Sequence, residues 1–411
     1  MKYSEILTDW LKELGYTHCF FLNGGNNMHL VQSCSKKFTC VPFIHEVSAG
    51  IAAEYFNESN TNKKAFALVT AGPGLTNIVT AIAGANLEGR DLLVIGGQVK
   101  TSDLSKGMVR QRGIQEVSGD LIVKSITVKS KTMTRVWSKR KFFEFVDHDI
   151  NLRKGSKFLE IPIDIQGAFY EKKNEKFLKS NQKKISVKRD QIDYLVKLFY
   201  KSKRPIILIG GGVEKDTILS LSNLIKKTSI PFMTTWNGAD RLESSHPNFF
   251  GRPNTWGQRR SNIIIQQSDL VLALGTRLGL QQTGFNWQEF VPKGKIIHVD
   301  IDKNEINKGH PKIFYGLNAD ANIILKKLLK NKIGEFNDWF KYCKLIKKTI
   351  PLIEKNANKI HKNFVSPYNF YQKLFPFDCS RWFGTDVVNY SINSLDVVDY
   401  FIGCFLQKCI R

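Results

Sequence analysis

Long apolar runs are missing from this sequence. Its 411 residues contain no stretch of about 18 consecutive apolar side chains, the length that a membrane-spanning helix needs, so no span is predicted. The N-terminal stretch is also not the apolar segment of a signal peptide. It has an amphipathic helical pattern instead, with these residues on one side: Ile6, Leu7, Trp10, Leu11 and Leu14. We therefore expect a cytoplasmic protein.

Cysteine patterns typical of disulfide-bonded or zinc-binding domains are also missing. The chain has 7 cysteines, an odd number, with no CxxC pair and no His/Cys cluster at zinc spacing. Thiols that persist without partners are typical of a reducing compartment. The sequence therefore argues against a disulfide framework and against a structural zinc site.

Acidic residues are few relative to basic ones. The chain has 61 Lys+Arg against 37 Asp+Glu, a formal net charge of +24. Such a charge alone would suggest nucleic acid or an anionic surface as partner. However, lysines number 46 and arginines 15, whereas specific nucleic-acid sites favour the planar fork of arginine. Nucleic-acid binding is therefore kept only as a minor alternative, favoured if the lysines cluster on one folded face.

Apolar runs do occur as short segments that alternate with helical patterns. The composition is 42% hydrophobic, and at 100 to 200 residues per domain the length allows two or three domains. Buried strands are predicted at 18–22, 40–44, 65–69, 92–95 and 158–163, and in a second region at 205–209, 231–234, 270–274 and 295–299. This alternation predicts an α/β fold with two successive parallel-sheet domains.

Lysine-rich stretches mark the expected boundaries. We place the first domain at 1–170, a linker at 171–190, the second domain at 191–330, and at 331–411 a helical connector followed by the truncated start of a third domain. The last 33 residues hold three of the cysteines and balanced charges, unlike the rest of the chain. We expect an altered or interrupted C-terminal region there, with a natural amphipathic tail as the alternative.

The first candidate for chemistry is a carboxylate at the start of an apolar helix. Glu46 follows a predicted strand and His45, and opens the helical stretch EVSAGIAAEYF. Helix N-termini stabilise negative charge through their free N–H groups and the helix dipole, whereas burial raises a carboxyl pKa. The alternative is a Glu that only caps the helix.

Glycine-bearing loops form the second set of candidates. A strand ends in a Gly-Pro-Gly turn before an apolar helix, a geometry that lets a ligand approach the backbone and the helix mouth. The loop has neither the GK[ST] of a phosphate loop nor the GxGxxG of a dinucleotide fold, and a plain tight turn is the alternative. The candidates in these loops are Gly24, Gly25, Gly72, Pro73, Gly74, Asn77 and Gln115.

In the second region the candidates again follow predicted strands. They are Gly210, Gly211, Gly212, Arg277 and Asp300. Ligands of open α/β sheets gather at the carboxyl ends of strands, where an acidic residue can hold a ribose hydroxyl. The alternative is that these residues only form the turns that follow the strands and bind no ligand.

Taken in order, these motifs resemble one known family. The series HEVSAGIAAEYF, VTAGPGLTN, IGGQV, RGIQE and FLEIPIDIQ resembles the pyrimidine-binding domain of thiamine-diphosphate-dependent enzymes, in particular the acetolactate synthase group. The runs RPIILIGGGV, SIPFMTTWNGAD, SDLVLALGTRL and KIIHVDIDKNEINK look like the central domain of that group. The resemblance covers residues 1 to about 330.

The resemblance implies roles for the candidates. Glu46 corresponds to the catalytic glutamate, which hydrogen-bonds N1′ of the aminopyrimidine and promotes the tautomer that deprotonates C2 of the thiazolium ring. Asn77 and the Gly-Pro-Gly turn would face the cofactor ring, Gly24 and Gly25 would line the site, and Gln115 would contact the substrate side.

The second-region candidates match segments that contact FAD in some members. Other members keep this domain without FAD, and the aromatic residue usual before the Gln-Glu pair is Ile114 here. The resemblance therefore leaves FAD doubtful.

One part of the family pattern is not found. The third domain of the family carries GDG and, about 25 residues later, an Asn pair that together hold Mg²⁺ and the diphosphate. The 411 residues contain neither motif in that arrangement, so no metal ligands are predicted, and cofactor binding by these residues alone is expected to be feeble.

The functional expectation follows from the resemblance. It is an acetolactate synthase-like transferase or lyase that decarboxylates a 2-keto acid and forms a carbon–carbon bond, as a homodimer or homotetramer and incomplete in this chain. The alternative is a non-catalytic assembly subunit that keeps the dimerising first domain.

Overall fold

The structure, a computed structural model, describes residues 1–60, 62–147, 154–171 and 185–352. These residues fall into two compact units, 1–171 and 185–352. The predicted start of a third domain and the unusual C-terminal stretch lie outside the described residues, as does most of the predicted linker.

The first unit is a six-stranded parallel sheet with the strand order β2-β1-β3-β4-β6-β5. Its strands are β1 (Tyr16–Phe21), β2 (Thr39–Pro42), β3 (Lys64–Val69), β4 (Leu92–Gln98), β5 (Lys129–Thr132) and β6 (Ser156–Pro162). Its helices are α1 (Tyr3–Glu13), α2 (Met28–Ser35), α3 (Glu46–Ser59), α4 (Pro73–Glu88), α5 (Gly119–Val123), α6 (Lys139–Val146) and α7 (Ile163–Gly167).

Two apolar layers cover the faces of this sheet. One layer packs α1, α2 and α6 against the side chains of one face, with Trp10, Phe66 and Phe142 among its buried residues. The other packs α3 and α4 against the opposite face through small side chains such as Ala53 and Ala81. A Cβ at Gly50 of α3 would lie 2.6 Å from the Ala81 Cβ of α4. The small residues therefore let these two helices approach closely.

The second unit is a five-stranded parallel sheet with the order β11-β10-β9-β7-β8. Its strands are β7 (Pro205–Ile209), β8 (Phe232–Thr234), β9 (Leu270–Leu274), β10 (Lys295–Asp300) and β11 (Tyr315–Asn318). Its helices are α8 (Arg189–Lys201), α9 (Lys215–Lys226), α10 (Arg259–Gln266), α11 (Leu280–Thr283), α12 (Lys303–Asn307), α13 (Ala321–Leu328) and α14 (Asn337–Thr349).

Helix α14 lies in the stretch that the lysine content predicted as a connector. It packs on the second core through Trp339 and Cys343, and the Trp339 indole N–H donates to the Pro205 carbonyl at 3.1 Å. Lys341, Lys344 and Lys348 are exposed, whereas Lys347 is half-buried and donates to the Phe249 carbonyl at 2.8 Å. The charged pattern of Asn337–Thr349 therefore belongs to a helix that packs on the second unit.

The fold class is confirmed as α/β with two parallel sheets. Each predicted strand coincides with an observed one, and β5 and β11 were not predicted. Parallel strands place their carboxyl ends at one edge of the sheet, where the loops carrying the candidate residues also lie. No helix among the described residues is both long and apolar enough to cross a bilayer.

Candidate functional site

Glu46 is the first residue of α3, and its side chain is buried. The preceding His45 has extended backbone and caps the helix, since its Nδ1 accepts a hydrogen bond from the Val47 N–H at 3.3 Å. Capping is thus done by His45, which leaves the Glu46 carboxylate for other contacts. Glu46 is 6% exposed although it stands at a helix start.

Asn77 of α4 contacts this carboxylate directly. Its side-chain N–H donates to Glu46 Oε2 at 2.9 Å. The other oxygen, Oε1, lies beside Gly74, where an added Cβ would be 3.6 Å away. The first turns of α3 and α4 therefore meet at Glu46, as close packing of the small residues behind them permits.

Gly72 and Gln115 bring two loops into contact. Gly72 has φ +64° and ψ −116°, a conformation that favours glycine, and a Cβ there would lie 2.6 Å from the Gln115 carbonyl oxygen. Gln115 itself has φ +60°. The glycine is thus required both by backbone conformation and by the close approach of the loop at residues 99–118.

Gly24 packs against Thr70 at the end of β3. A Cβ at Gly24 would lie 2.6 Å from Thr70 Oγ1, and the Asn26 N–H donates to that same hydroxyl at 3.3 Å. Gly25, by contrast, faces open space, with nothing within 4 Å of an added Cβ. The structure therefore brings Gly24, Thr70, Gly72 and Gly74 to one edge of the sheet, with Gly25 at its exposed side.

Glu116 fixes the loop at residues 99–118, and sequence reasoning missed it as a separate feature. Its carboxylate accepts hydrogen bonds from the backbone N–H groups of Ser105 at 2.6 Å, Arg112 at 2.9 Å and Gly113 at 3.1 Å. Burial would raise the pKa of Glu116, but these bonds and one from the Ser105 hydroxyl outweigh it and lower the pKa to about 2. Glu116 therefore holds Gln115 in place.

A second buried acid, Glu160 of β6, lies under the start of that loop. It accepts hydrogen bonds from the Gln98 amide at 2.9 Å and the Thr132 hydroxyl at 2.7 Å. Burial raises the pKa of Glu160 to about 7, with nearby Asp120 acting in the same direction. Because both donors are neutral, this carboxyl lacks the ionic compensation that would keep it charged.

In the second unit, the predicted glycines pack against protein backbone. A Cβ at Gly210 would collide with the carbonyl of Gly275, and one at Gly212 would lie 2.9 Å from the Gly275 Cα. Gly211 faces Asn237 at 3.0 Å. The three glycines thus allow the loops after β7, β8 and β9 to touch, which explains them without a ligand.

Asp300 and Arg277 lie at the same edge of this sheet. Asp300 ends β10, accepts from the Asp302 N–H at 2.9 Å, and burial raises its pKa to about 6. The carbonyl of Arg277 accepts a hydrogen bond from the Lys308 ammonium. Neighbouring His298 hydrogen-bonds through Nε2 to the Thr276 carbonyl at 2.7 Å, and burial lowers its pKa to about 4. Sequence reasoning missed His298, which is buried beside Asp300 at this edge of the sheet.

Metal ligands are not assembled anywhere in the described ranges. No group of three or more His, Cys, Asp or Glu side chains between residues 1 and 352, with the gaps given above, could hold a metal ion.

Comparison with known families matches each unit separately. The model of the family described as "Thiamine pyrophosphate enzyme, N-terminal TPP binding domain" matches residues 1–120. The model described as "Thiamine pyrophosphate enzyme, central domain" matches residues 192–328. The first match contains Glu46, Asn77 and Gln115, and the second contains Asp300.

Curated relatives with similar sequences are acetolactate synthases. An acetolactate synthase of Mycobacterium bovis is 30% identical over 365 residues, which are 83% of this chain and 56% of the relative. The acetolactate synthase large subunit of Corynebacterium glutamicum is 30% identical over 353 residues, 83% of this chain and 55% of the relative. The acetolactate synthase isozyme 1 large subunit of Escherichia coli is 27% identical over 330 residues, 79% and 57%.

This chain spans about half the length of the curated relatives that it matches. The two matched domains follow each other in the order expected from the motifs, and both sheets are parallel as the fold requires. The chain therefore belongs to the thiamine-pyrophosphate-dependent enzymes, in their acetolactate synthase-like family.

Proposed function

We propose that this chain supplies the pyrimidine-holding half of a thiamine-diphosphate site in an enzyme that acts on a 2-keto acid. The observation that supports this most is the arrangement of Glu46, buried and in contact with Asn77 at the mouths of α3 and α4. A ring with both donor and acceptor nitrogens needs such a pair. Thiamine diphosphate, when bound, supplies the nucleophilic carbon and the electron sink for decarboxylation.

One oxygen of the Glu46 carboxylate is left to contact a ligand of this class. Oε2 accepts a hydrogen bond from Asn77, while Oε1 accepts none from the residues that the structure describes. A carboxylate oxygen that accepts no hydrogen bond within the protein can accept one from a ligand. The Glu46 carboxylate can therefore accept a hydrogen bond from a protonated ring nitrogen of the ligand. The hydrogen bond from Asn77 keeps the carboxylate oriented for this contact.

The loop carrying Gln115 would border the substrate side of this site. Glu116 anchors the loop by three backbone hydrogen bonds, and the close contact between Gly72 and Gln115 sets its distance from the first turn of α4. A loop fixed in this way can position a substrate and exclude water without moving. Gly24 and Gly25 would border the opposite side.

The motif expected to hold Mg²⁺ and the diphosphate is not found in the sequence, and the described residues contain no group of three or more His, Cys, Asp or Glu side chains that could hold a metal ion. In our proposal the family's third domain supplies it, and cofactor binding is feeble without that domain. The proposed assembly is a cytoplasmic homodimer or homotetramer. For FAD we make no positive assignment, since the glycines that match its segments pack on backbone.

A chimera tests the proposal. Residues 1–350 would be joined to the diphosphate-binding domain of a related acetolactate synthase, and CO₂ release from pyruvate would be followed with and without thiamine diphosphate and Mg²⁺. The proposal expects release that depends on both additions. A folded, cofactor-binding chimera that releases no CO₂ from pyruvate or larger 2-keto acids would favour the alternative, a non-catalytic assembly subunit.

A further inference from the structure

Three cysteines of the first unit lie in one layer of its core. Cys19 is in β1, Cys40 is in β2 and Cys34 is in the last turn of α2. Cys19 and Cys34 are buried in the apolar layer that covers one face of the sheet, and Cys40 packs against the same layer while remaining half-buried. All three are free thiols.

The strand register places two of them side by side. Cys19 and Cys40 are direct partners in the parallel pair β1 and β2. Neighbouring strands lie about 4.8 Å apart, which falls within the separation of roughly 4.4 to 6.8 Å that disulfide-bonded Cα atoms show. Paired residues of parallel strands also direct their side chains to the same face, so the two thiols can meet without a change of register.

The position of β2 makes the remaining adjustment easy. β2 is an edge strand of the sheet and has β1 as its hydrogen-bonded neighbour on one side. An edge strand can shift by a fraction of an ångström towards its partner without breaking a second ladder. Cys34, held by a helix, has less freedom because the N–H groups of Lys37 and Phe38 both bond to its carbonyl at 2.9 Å.

The two thiols differ in pKa, as expected for a pair in which one thiol reacts with an oxidant and the other resolves the product. The neighbouring Cys19 thiol lowers the pKa of Cys40 against the opposing effect of burial. Burial, together with thiol contacts to Cys34 and Cys40, raises the pKa of Cys19. The half-buried Cys40 is therefore the thiol that reaches the reactive thiolate form more readily, and the buried Cys19 is the neighbour that can resolve its oxidised form.

From this geometry we propose that Cys19 and Cys40 are an oxidant-responsive thiol pair that forms a disulfide between β1 and β2. The Cys40 thiolate attacks hydrogen peroxide, the O–O bond breaks, and a sulfenic acid and one water form after protonation. The Cys19 sulfur then attacks the sulfenic sulfur, loses its proton, and the S–O bond breaks to release a second water. Two thiols lose two electrons in total, and one peroxide gains them.

This pair lies outside the Glu46 site, and the proposal does not depend on the proposed function. The bond would nevertheless tie β1 to the strand that leads into Glu46, since β2 ends at Pro42, four residues before it. A thiol reductant reverses the step by thiol–disulfide exchange.

Tryptic mapping of the full chain tests the pairing directly. Cleavage after lysine and arginine gives one peptide, 13–36, that contains both Cys19 and Cys34, and another, 38–63, that contains Cys40. The folded protein would be treated with hydrogen peroxide, free thiols alkylated, and the digest analysed by mass spectrometry. We expect the two peptides cross-linked, two hydrogen atoms lighter than their sum, and separated again by dithiothreitol.

Variants and a denatured control decide which thiols react. Cys34→Ser should keep the cross-link, whereas Cys40→Ser and Cys19→Ser should lose it, and thermal unfolding monitors whether each variant is folded. The cross-link should also be lost when wild-type protein is oxidised in guanidinium chloride, so the test does not depend on the variants. An internal bond within 13–36, or only over-oxidised Cys40 without a cross-link, would overturn the proposal.

Discussion

A single side-chain contact joins the two residues on which the site depends. Glu46 and Asn77 are 31 positions apart and belong to different helices, yet they share a hydrogen bond of 2.9 Å. Both residues could be proposed from sequence, because each begins or nearly begins a helix that follows a strand. Their contact could not be, since it depends on how closely α3 and α4 approach.

Glu116 gives a prediction for pH dependence at the residue scale. Its pKa falls from the usual 4.5 to about 2, so the stability that ionised Glu116 contributes is complete above about pH 4.5 and is lost as the pH falls towards 2. Glu116→Gln should cost about 1 to 2 kcal/mol near neutral pH, because the amide cannot accept all three backbone N–H groups.

Thermal unfolding at about pH 7, 5 and 3 measures this. The difference in stability between wild type and Glu116→Gln should be the same at pH 7 and 5 and smaller at pH 3. Asp103→Asn serves as control, since this residue of the same loop accepts a hydrogen bond from its neighbour Ser102. If the stability difference between wild type and Glu116→Gln were the same at all three pH values, the charge of Glu116 would not be what holds the loop.

The loops show what local sequence could predict and what it could not. The sequence predicts a special backbone at the Gly-Pro-Gly segment, and the φ of +64° at Gly72 agrees with that, although Pro73 and Gly74 already belong to the first turn of α4. Gln115 also has a positive φ, but a glutamine gives no signal of it. The role of Glu116 could not be predicted from sequence. Its carboxylate accepts hydrogen bonds from three backbone N–H groups of a folded loop, and a loop has no sequence pattern comparable to that of a helix N-terminus.

Gly72→Ala tests this element. The backbone conformation and the 2.6 Å approach of the Gln115 carbonyl should together cost about 2 to 4 kcal/mol. Gly89→Ala is the matched control, because Gly89 has φ +68° but open space around an added Cβ, and should cost roughly 1 to 2 kcal/mol. Urea unfolding of both variants measures the difference, and equal costs would exclude the loop contact as a constraint.

Edge strands explain the missed elements. β5 has the sequence KSKT and β11 has YGLN, and both are the last strand at one side of a sheet. Strands buried on both faces are continuous apolar runs, such as PIILI and LVLAL, and were found in sequence. An edge strand needs no such run, so only its pairing reveals it.

At the scale of the whole molecule, exposed apolar side chains near the site indicate a surface that contacts another subunit. Ile44 is 100% exposed, Ile114 81% and Met108 75%. Ile44 precedes Glu46 by two positions, and Ile114 adjoins the Gln115 that contacts Gly72. Apolar side chains exposed next to a functional site are typical of an interface between subunits.

We therefore expect the full chain to be a dimer in solution, and Ile44→Glu to weaken it, because burying a carboxylate in an apolar contact is unfavourable. Light scattering over a range of micromolar concentrations measures the mass. Leu219→Glu, a change at a 57% exposed position of the second unit, should leave the dimer intact. A monomeric wild type would remove the homodimer from our proposal.

The assignment of Glu46 as the proton-holding group is the central claim, and one measurement tests it most directly. In the chimera with a related diphosphate-binding domain, the exchange of the C2 proton of bound thiamine diphosphate for deuterium would be followed by NMR. Glu46→Gln keeps the shape and much of the hydrogen bonding but cannot hold the proton, so exchange should slow by about 10² to 10⁴-fold. Glu58→Gln, at the exposed end of the same helix, should exchange like the unmodified chimera. Unchanged exchange in Glu46→Gln, with the cofactor bound, would contradict the account and leave Glu46 as a structural residue of α3.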